Sequence, residues 1–283
     1  MADSTDILIV KTIIEMRKWR TNVTGKIGFI PTMGYLHVGH LSLMSRARQE
    51  NDLVVVSIFV NPKQFGPHED FNKYPRDVNR DLEILRKAHV DVAFLPEVDE
   101  MYADGFETYV SATNLSRKLE GKRRAGHFDG VTTIVSKFFN IIQPQSSYFG
   151  QKDAQQVAII KKMVSDLQFP IDIVVGDTIR EKNGLALSSR NSFLNSKEKG
   201  EATVLSQSLL LAQELFQQGE RNPKKVKKMM RLLIEKTKGT IDYISIADPK
   251  TLDELTIIDK EALVSLAVYY GKTRLIDNCI LIT

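Results

Sequence analysis

The sequence has a single cysteine, Cys279, so it can close no disulfide within the chain, and a small disulfide-built secreted scaffold is excluded. It has no apolar run of the roughly 18 residues that a membrane-spanning helix needs. The N-terminus carries Asp3 and Asp6 in place of a basic segment and shows no cleavage signal, so it does not read as a secretory leader. Neither sign of charge dominates: 39 Lys and Arg stand against 35 Asp and Glu, a net charge of +4. So weak an excess suits an anionic small molecule and lacks the concentrated basic face of a nucleic-acid binder. Internal repeats, low-complexity linkers, a P-loop and a serine–histidine triad pattern are all missing. These absences lead us to expect a cytoplasmic globular protein with no membrane and no nucleic-acid partner.

What is present is an ordinary mixture, 42% apolar and 26% charged, over 283 residues. That is enough for about two domains of roughly 150 residues each. Cys279 opens the apolar run Cys279-Ile280-Leu281-Ile282 and reads as a core residue, not a nucleophile. The densest basic stretch, Lys224, Lys225, Lys227, Lys228 and Arg231, is interleaved with Val226, Met229, Met230 and Leu233 at helical spacing. It reads as the wet face of an amphipathic helix, the alternative being a surface for a polyanion or lipid.

Up to about residue 180, short apolar runs alternate with amphipathic stretches. Strands are predicted at 27–30, at 53–60 (LVVVSIFV), at 91–95, at 147–149 and at 171–175. Helices are predicted at about 39–50, 76–89, 130–142 and 153–167. That alternation implies parallel β-α-β units, an α/β fold with a doubly wound, mostly parallel Rossmann-like sheet over residues 1–184. Sheets of this kind bind ligands beyond the carboxyl ends of their strands, so the residues just after each strand are the ones to inspect. From about 185 to 283 the pattern changes to a long amphipathic helix over 197–218, stopped by Gly219, and then the lysine-bearing helix started by Pro223. Strand-like runs at 241–246, 262–270 and 275–282 follow, which suggests a smaller C-terminal α+β domain with an antiparallel sheet.

The most informative segment follows the first of these strands: Pro31-Thr32-Met33-Gly34-Tyr35-Leu36-His37-Val38-Gly39-His40. It opens a helix, and a helix N-terminus offers backbone N–H groups and partial positive charge to a phosphate. Gly34 and Gly39 allow close approach of the backbone. His37 and His40, three apart around a first helical turn, lie on one side and can donate to phosphate oxygens as charge builds up. A His-x-x-His pair is also compatible with a metal site, but no third histidine or acid stands nearby in a zinc spacing.

This segment resembles the His-x-Gly-His signature of nucleotidyl-transferring α/β enzymes, which activate carboxylates or phosphates with ATP. The longer string Pro-Thr-Met-Gly…Leu-His…Gly-His resembles the pantothenate synthetase family, and further motifs match that family in order from about Val10 to Asn278. The resemblance implies an AMP-forming ligase that joins pantoate to β-alanine. It implies ATP contacts from Met33, Gly34, Tyr35, Leu36, His37, Val38, Gly39 and His40, with His40 as the acid that helps the leaving group. It implies that Gln64, in the turn Asn61-Pro62-Lys63-Gln64, contacts pantoate and β-alanine. In Tyr148-Phe149-Gly150-Gln151-Lys152-Asp153-Ala154-Gln155-Gln156 it places Gly150, Gln151, Lys152 and Asp153 against ATP and Gln156 on pantoate. Relatives often carry a charged residue where Gln151 stands, so backbone contact is expected there; Asp153 reads equally as a helix cap. Near Gly184-Leu185-Ala186-Leu187-Ser188-Ser189-Arg190 it implies a loop that closes on the triphosphate through Leu187, Ser188, Ser189 and Arg190, with Ile179 lining the adenine pocket. Leu187 stands where many relatives have lysine or methionine, so its backbone is the part expected to matter.

Two further segments stay open. Asp77 and Asp81, at the start of a helix after Tyr74-Pro75-Arg76, either offset the helix dipole or, for Asp81, meet magnesium. His127, in the basic glycine-rich stretch 121–130, either serves a mobile loop near an anion or packs in a turn. Magnesium is expected to arrive with ATP, bound mainly through its phosphates and with no dedicated protein metal site. The family resemblance also implies a homodimer.

Overall fold

The computed structural model describes residues 7–67 and 71–282. The chain divides into two compact units, one running to Gly150 and resuming at Ile159–Gly176, the other made of Gln151–Ala158 and the chain from Asp177 onward.

The first unit is built on strands β1 (Leu8–Val10), β2 (Ile27–Thr32), β3 (Leu53–Ile58), β4 (Val92–Phe94), β5 (Ser146–Gly150) and β6 (Asp172–Gly176). They form one sheet in the order β1-β4-β3-β2-β5-β6, and every pairing is parallel. The helices are α1 (Ile13–Asn22), α2 (Val38–Glu50), α3 (Val78–Lys87), the short α4 (Val98–Met101) and α5 (Leu119–Arg123), α6 (His127–Ile142) and α7 (Ala154–Asp166), whose first turn groups with the second unit. Side chains alternate across a strand, and here the alternation separates two layers. Phe29 of β2 and Phe94 of β4 meet Phe138 of α6 edge-on, at centroid separations of 5.6 and 6.1 Å. Their neighbours Ile30 and Ala93 join Val54 and Val56 in a separate cluster with Met44 and Ala47 of α2 and Leu85 of α3. Full burial of each Val, Ile, Leu, Met or Phe side chain among them contributes about 1.5–3 kcal/mol of transfer free energy. The doubly wound reading is therefore correct. Beside β2 the strand order reverses, with β3 on one side and β5 on the other. That is where a sheet of this type leaves a crevice beyond its carboxyl edge.

Four elements of this unit were not anticipated: β1, α1 and the short α4 and α5. β1 is three residues long, too short for alternation to register. α1 carries a legible start, because Thr12 and Glu15 form a reciprocal capping box: the Thr12 hydroxyl accepts from the Glu15 N–H and the Glu15 carboxylate accepts from the Thr12 N–H.

The second unit holds α8 (Ser196–Ala202), α9 (Val204–Gln217) and α10 (Pro223–Ile234), then β7 (Thr240–Ala247), β8 (Glu261–Tyr270) and β9 (Thr273–Ile282). The strands make an antiparallel sheet with β8 in the middle. The single helix expected over 197–218 is two helices. The break falls at Thr203, whose hydroxyl donates to the Gly200 carbonyl and so competes with the helical ladder. Leu205, Leu209, Ala212 and Phe216 of α9 and Val226, Met230 and Ile234 of α10 enter one core with Val264, Leu266 and Val268 of β8. The lysines of α10 lie on its outer side, where Lys227 pairs with Glu254 and Lys225 with Glu220 at 2.7 and 2.6 Å. Met229, expected on the apolar stripe, stands exposed.

Cys279 of β9 packs against this core, and burial pushes its thiol up to about 12. A thiol at that level is on the order of a ten-thousandth thiolate at about pH 8. We expect the native protein to react with a thiol-specific disulfide reagent about a thousandfold more slowly than the protein in denaturant; equal rates would show the thiol to be accessible.

Candidate active site

The carboxyl end of β2 runs into a turn that the sequence alone would leave loose. Thr32 anchors it, donating its hydroxyl to the Ser57 carbonyl of β3 at 2.7 Å and accepting the Gly34 N–H at 3.2 Å. Gly34 and Tyr35 then take left-handed conformations in succession, φ 80° and 52°. For tyrosine that is an uncommon region, and it persists because the surroundings hold it. The holder is Asp81 of α3. It is 1% exposed, and its two oxygens accept the N–H groups of Tyr35 and Leu36 at 2.7 and 2.8 Å. Arg80 completes the grip, donating to the Leu36 carbonyl at 2.9 Å and stacking its guanidinium 5.1 Å from the centre of the Tyr35 ring. Burial pushes the Asp81 carboxyl up, while the Leu36 and Tyr35 N–H groups and Arg80 pull it back down. Asp77, by contrast, is the N-cap of α3, accepting the Arg80 N–H. Asp81 is thus a holder of the turn, a role sequence reasoning missed. Its signal was an acid sharing the buried side of a helix with Leu82 and Leu85, where a carboxylate must find partners.

The turn delivers His37 as N-cap of α2 and His40 one turn in, their ring centroids 4.1 Å apart. The His37 Nδ1 accepts the Gly39 N–H at 3.1 Å, and the His40 Nδ1 accepts the His37 N–H at 3.2 Å. The N–H groups expected to face a phosphate at this terminus are in good part committed within the turn. Leu36 is fully buried in the core with Met44, and Val38 is exposed.

Gln64 ends a single 3-10 turn, Pro62–Gln64, beyond β3. It is buried, its Oε1 accepting from Asn61 at 3.1 Å and its Nε2 donating to the Met33 sulfur at 3.0 Å. Asn61, fully buried, also donates to the Gly130 carbonyl and accepts from the Tyr102 hydroxyl, whose own ionisation burial pushes upward. The structure therefore brings Met33 and Gln64 into contact beyond the ends of two adjacent strands. Gly130 is required at the contact of α6 with this turn: a Cβ there would lie 2.3 Å from the Lys63 carbonyl oxygen. His127 has the packing role, its Nδ1 bonding the Gln64 carbonyl at 2.7 Å and its Nε2 meeting Arg124 at 3.0 Å. The stretch 121–130 is the end of α5 and the start of α6, not an extended loop.

The remaining sequence-predicted residues belong to the second unit, save Gly150 at the end of β5. Gln151, Lys152 and Asp153 form a 3-10 turn into α7, with Asp153 exposed and Gln156 half-buried. The turn is gripped by Asn278 of β9, whose side chain donates to the carbonyls of Gln151 and Lys152 at 3.0 and 2.8 Å and accepts from the Gln151 amide at 3.0 Å. The adjoining Asp277, 2% exposed, takes both arms of Arg180 at 2.6 and 3.0 Å, and Arg180 also donates to the Gly184 carbonyl. The Leu187 N–H donates to the Ile179 carbonyl at 2.9 Å, and Ser188 caps the 3-10 turn Ser189–Phe193 by accepting the Arg190 N–H. Asp277 and Asn278 were missed because a strand sequence gives no sign of which distant turn it will hold.

A model of the pantoate-beta-alanine ligase family matches residues 8–280. The chain belongs to the pantoate–β-alanine ligase family. It is 50% identical to the pantothenate synthetase of Acetivibrio thermocellus, over 96% of this chain and 98% of that protein. It is 52% identical to that of Roseiflexus castenholzii, over 96% and 99%. The crystal structure of pantothenate synthetase from Thermus thermophilus superposes with a TM-score of 0.92 at 43% identity, covering 96% of this chain and 99% of that one. The ligase of Francisella tularensis, complexed with Beta-gamma ATP and Beta-alanine, matches with a TM-score of 0.79 at 36% identity, covering 97% of each chain.

In this member of the ligase family, Asp81→Asn replaces a double acceptor by a group that must turn an NH2 toward one of two N–H donors. We expect it to destabilise the protein by about 2–3 kcal/mol, the worth of hydrogen bonds to a charged group, and to lower kcat/KM for ATP about a hundredfold by displacing the histidine turn. Denaturant midpoints and initial rates of AMP formation check this; an unaltered kcat/KM would remove Asp81 from the account.

Proposed function

We propose that this chain joins pantoate to β-alanine at the expense of ATP. A carboxylate does not condense with an amine in water because its oxygen leaves poorly. One pantoate carboxylate oxygen attacks the α-phosphorus of ATP, the bond from that phosphorus to the bridging oxygen breaks, and pyrophosphate departs, leaving pantoyl-adenylate. The deprotonated amine of β-alanine then attacks the acyl carbon, the acyl–oxygen bond breaks, and AMP leaves with the amide formed. Both steps move negative charge onto phosphate oxygens, so positioned donors and cations serve better than a protein nucleophile.

The observation that carries this reading is the family match over residues 8–280 together with the held turn that presents His37 and His40. ATP is bound by the segment Met33–His40, by Gly150–Asp153, by Ile179 and by Leu187–Arg190; His40 assists departure of pyrophosphate, and Gln64 and Gln156 hold pantoate, Gln64 also β-alanine. The smaller C-terminal part, 185–283, acts as a lid, its Ser188, Ser189 and Arg190 supplying two hydroxyls and a guanidinium fork to the triphosphate. Magnesium enters with ATP. Its main ligands are proposed to be the phosphates, in keeping with the preference of magnesium for phosphate oxygens, and the Asp81 carboxylate accepts two N–H groups instead. Among the described residues no helix is long and apolar enough to cross a membrane. On the family resemblance alone, the enzyme is proposed to work in the cytoplasm as a homodimer.

Incubation with ATP, magnesium, pantoate and β-alanine, omitting each in turn, tests the reaction. AMP is expected to accumulate only with all four present; AMP release that ignores β-alanine would overturn the ligase reading. His40→Ala is expected to lower kcat by about a hundredfold or more, the usual cost of a lost acid or oxyanion donor; near-normal turnover would refute its role.

A further inference from the structure

Two neighbouring residues of β9 hold two separate segments of the second unit. Successive side chains of a strand point to opposite faces. On one face Asn278, 4% exposed, uses both hydrogens of its NH2 on the 3-10 turn before α7: one goes to the Gln151 carbonyl at 3.0 Å, the other to the Lys152 carbonyl at 2.8 Å. Its Oδ1 accepts from the Gln151 amide at 3.0 Å, and a flipped amide would turn that oxygen on two carbonyls. On the other face Asp277 takes both arms of Arg180, which also donates to the Gly184 carbonyl at 3.1 Å, at the base of the loop that carries Leu187–Arg190. The Asn278 N–H donates to the Asp277 Oδ1 at 2.8 Å, so one hydrogen-bonded path runs from Gln151 to Gly184. We propose that Asn278 is a positioning residue for the attack on ATP: by holding the carbonyls of Gln151 and Lys152 it aims the Lys152 ammonium at the phosphates, and Asp277 fixes Asn278 in its turn.

The two carbonyls are the ones that matter for Lys152. Each belongs to a planar peptide unit, and the two units flank its Cα. Holding both leaves the backbone at Lys152 no freedom to turn, so the direction in which the side chain departs is set. A lysine is a point charge on a flexible four-carbon stem, and it depends on its root for its aim. Its own side-chain surroundings supply little: the Asp153 carboxylate lies 3.9 Å from the ammonium, beyond hydrogen-bond distance, and is itself exposed. A misplacement of about 1 Å costs on the order of a hundredfold in rate. The proposal rests on the ligase reading for the phosphates that Lys152 meets, and it adds a residue that acts only through another.

A double-substitution cycle on kcat/KM for ATP, read as AMP formed from the complete substrate mixture, tests this. Asn278→Asp keeps the shape of the side chain and replaces its donor by a carboxylate that faces two carbonyls. We expect it to lower kcat/KM by about thirtyfold or more. In the Lys152→Ala background the same substitution is expected to cost less than about threefold, because the group it aims is gone. Losses that multiply in the double variant would show that Asn278 acts on the fold at large and would overturn the proposal, as would an Asn278→Asp enzyme with ordinary kcat/KM. Should circular dichroism show that Asn278→Asp does not fold, Gln151→Met takes its place. Gln151 is half-buried, and methionine keeps its length while removing the donor that orients Asn278. A loss of about threefold to tenfold that disappears beside Lys152→Ala supports the proposal; no loss, or one that persists there, overturns it. No AMP from the unsubstituted chain, or a Lys152→Ala variant as active as it, would end the ligase reading of this turn and the proposal with it. Multiplying losses alone would end the proposal and leave that reading standing.

Discussion

A buried carboxylate holding two consecutive backbone N–H groups is the interaction on which the candidate site depends. Burying a charge without partners is costly, and Asp81 meets that cost with the Tyr35 and Leu36 amides and with Arg80 beside it. In return the chain between β2 and α2 takes a conformation that tyrosine rarely adopts. From there the consequences are local. Leu36 drops into the core, His37 becomes an N-cap, and the two imidazoles turn their Nδ1 atoms inward to close the helix end. The N–H groups that would ordinarily make such an end an anion site are in good part taken within the turn.

The same device recurs in the second unit with different chemistry. Two adjacent residues of β9 face different duties: Asp277 neutralises Arg180 by a paired contact, and Asn278 grips the carbonyls of the turn containing Lys152. Loops that bind ligands are mobile unless something rigid holds them. In both units the rigid element is regular secondary structure, and the residue that reaches out from it is a polar one that does no chemistry itself. This division explains why Gly39 and Gly130 matter although neither carries a functional group: each leaves room for a close approach that a Cβ would block.

The sheet was legible because its strands are long enough and apolar enough to alternate with amphipathic helices; LVVVSIFV and its neighbours admit few other readings. β1 was not, because three residues carry no period, and the break at Thr203 was not, because the apolar stripe continues across it. His37, His40 and Gln64 stood out because a motif places them just after strands. Asp81, Asn61, Asp277 and Asn278 did not, since each is defined by partners far along the chain: Asp81 lies 46 residues from Tyr35, and Asn278 lies 126 from Lys152. A helix or strand pattern says which side of an element is buried. It does not say which polar residue on that side will find a turn to hold. The capping of α2 by its own histidines is an intermediate case, since the spacing of three was visible but the nitrogen used was not.

The most direct test of the central claim is amide hydrogen exchange at Tyr35 and Leu36, read residue by residue in the native chain and in the Asp81→Asn variant. The account predicts two strongly protected amides in a segment without regular secondary structure, and loss of that protection when the carboxylate is replaced. Amides that exchange as fast as an open loop in the unsubstituted protein would contradict it.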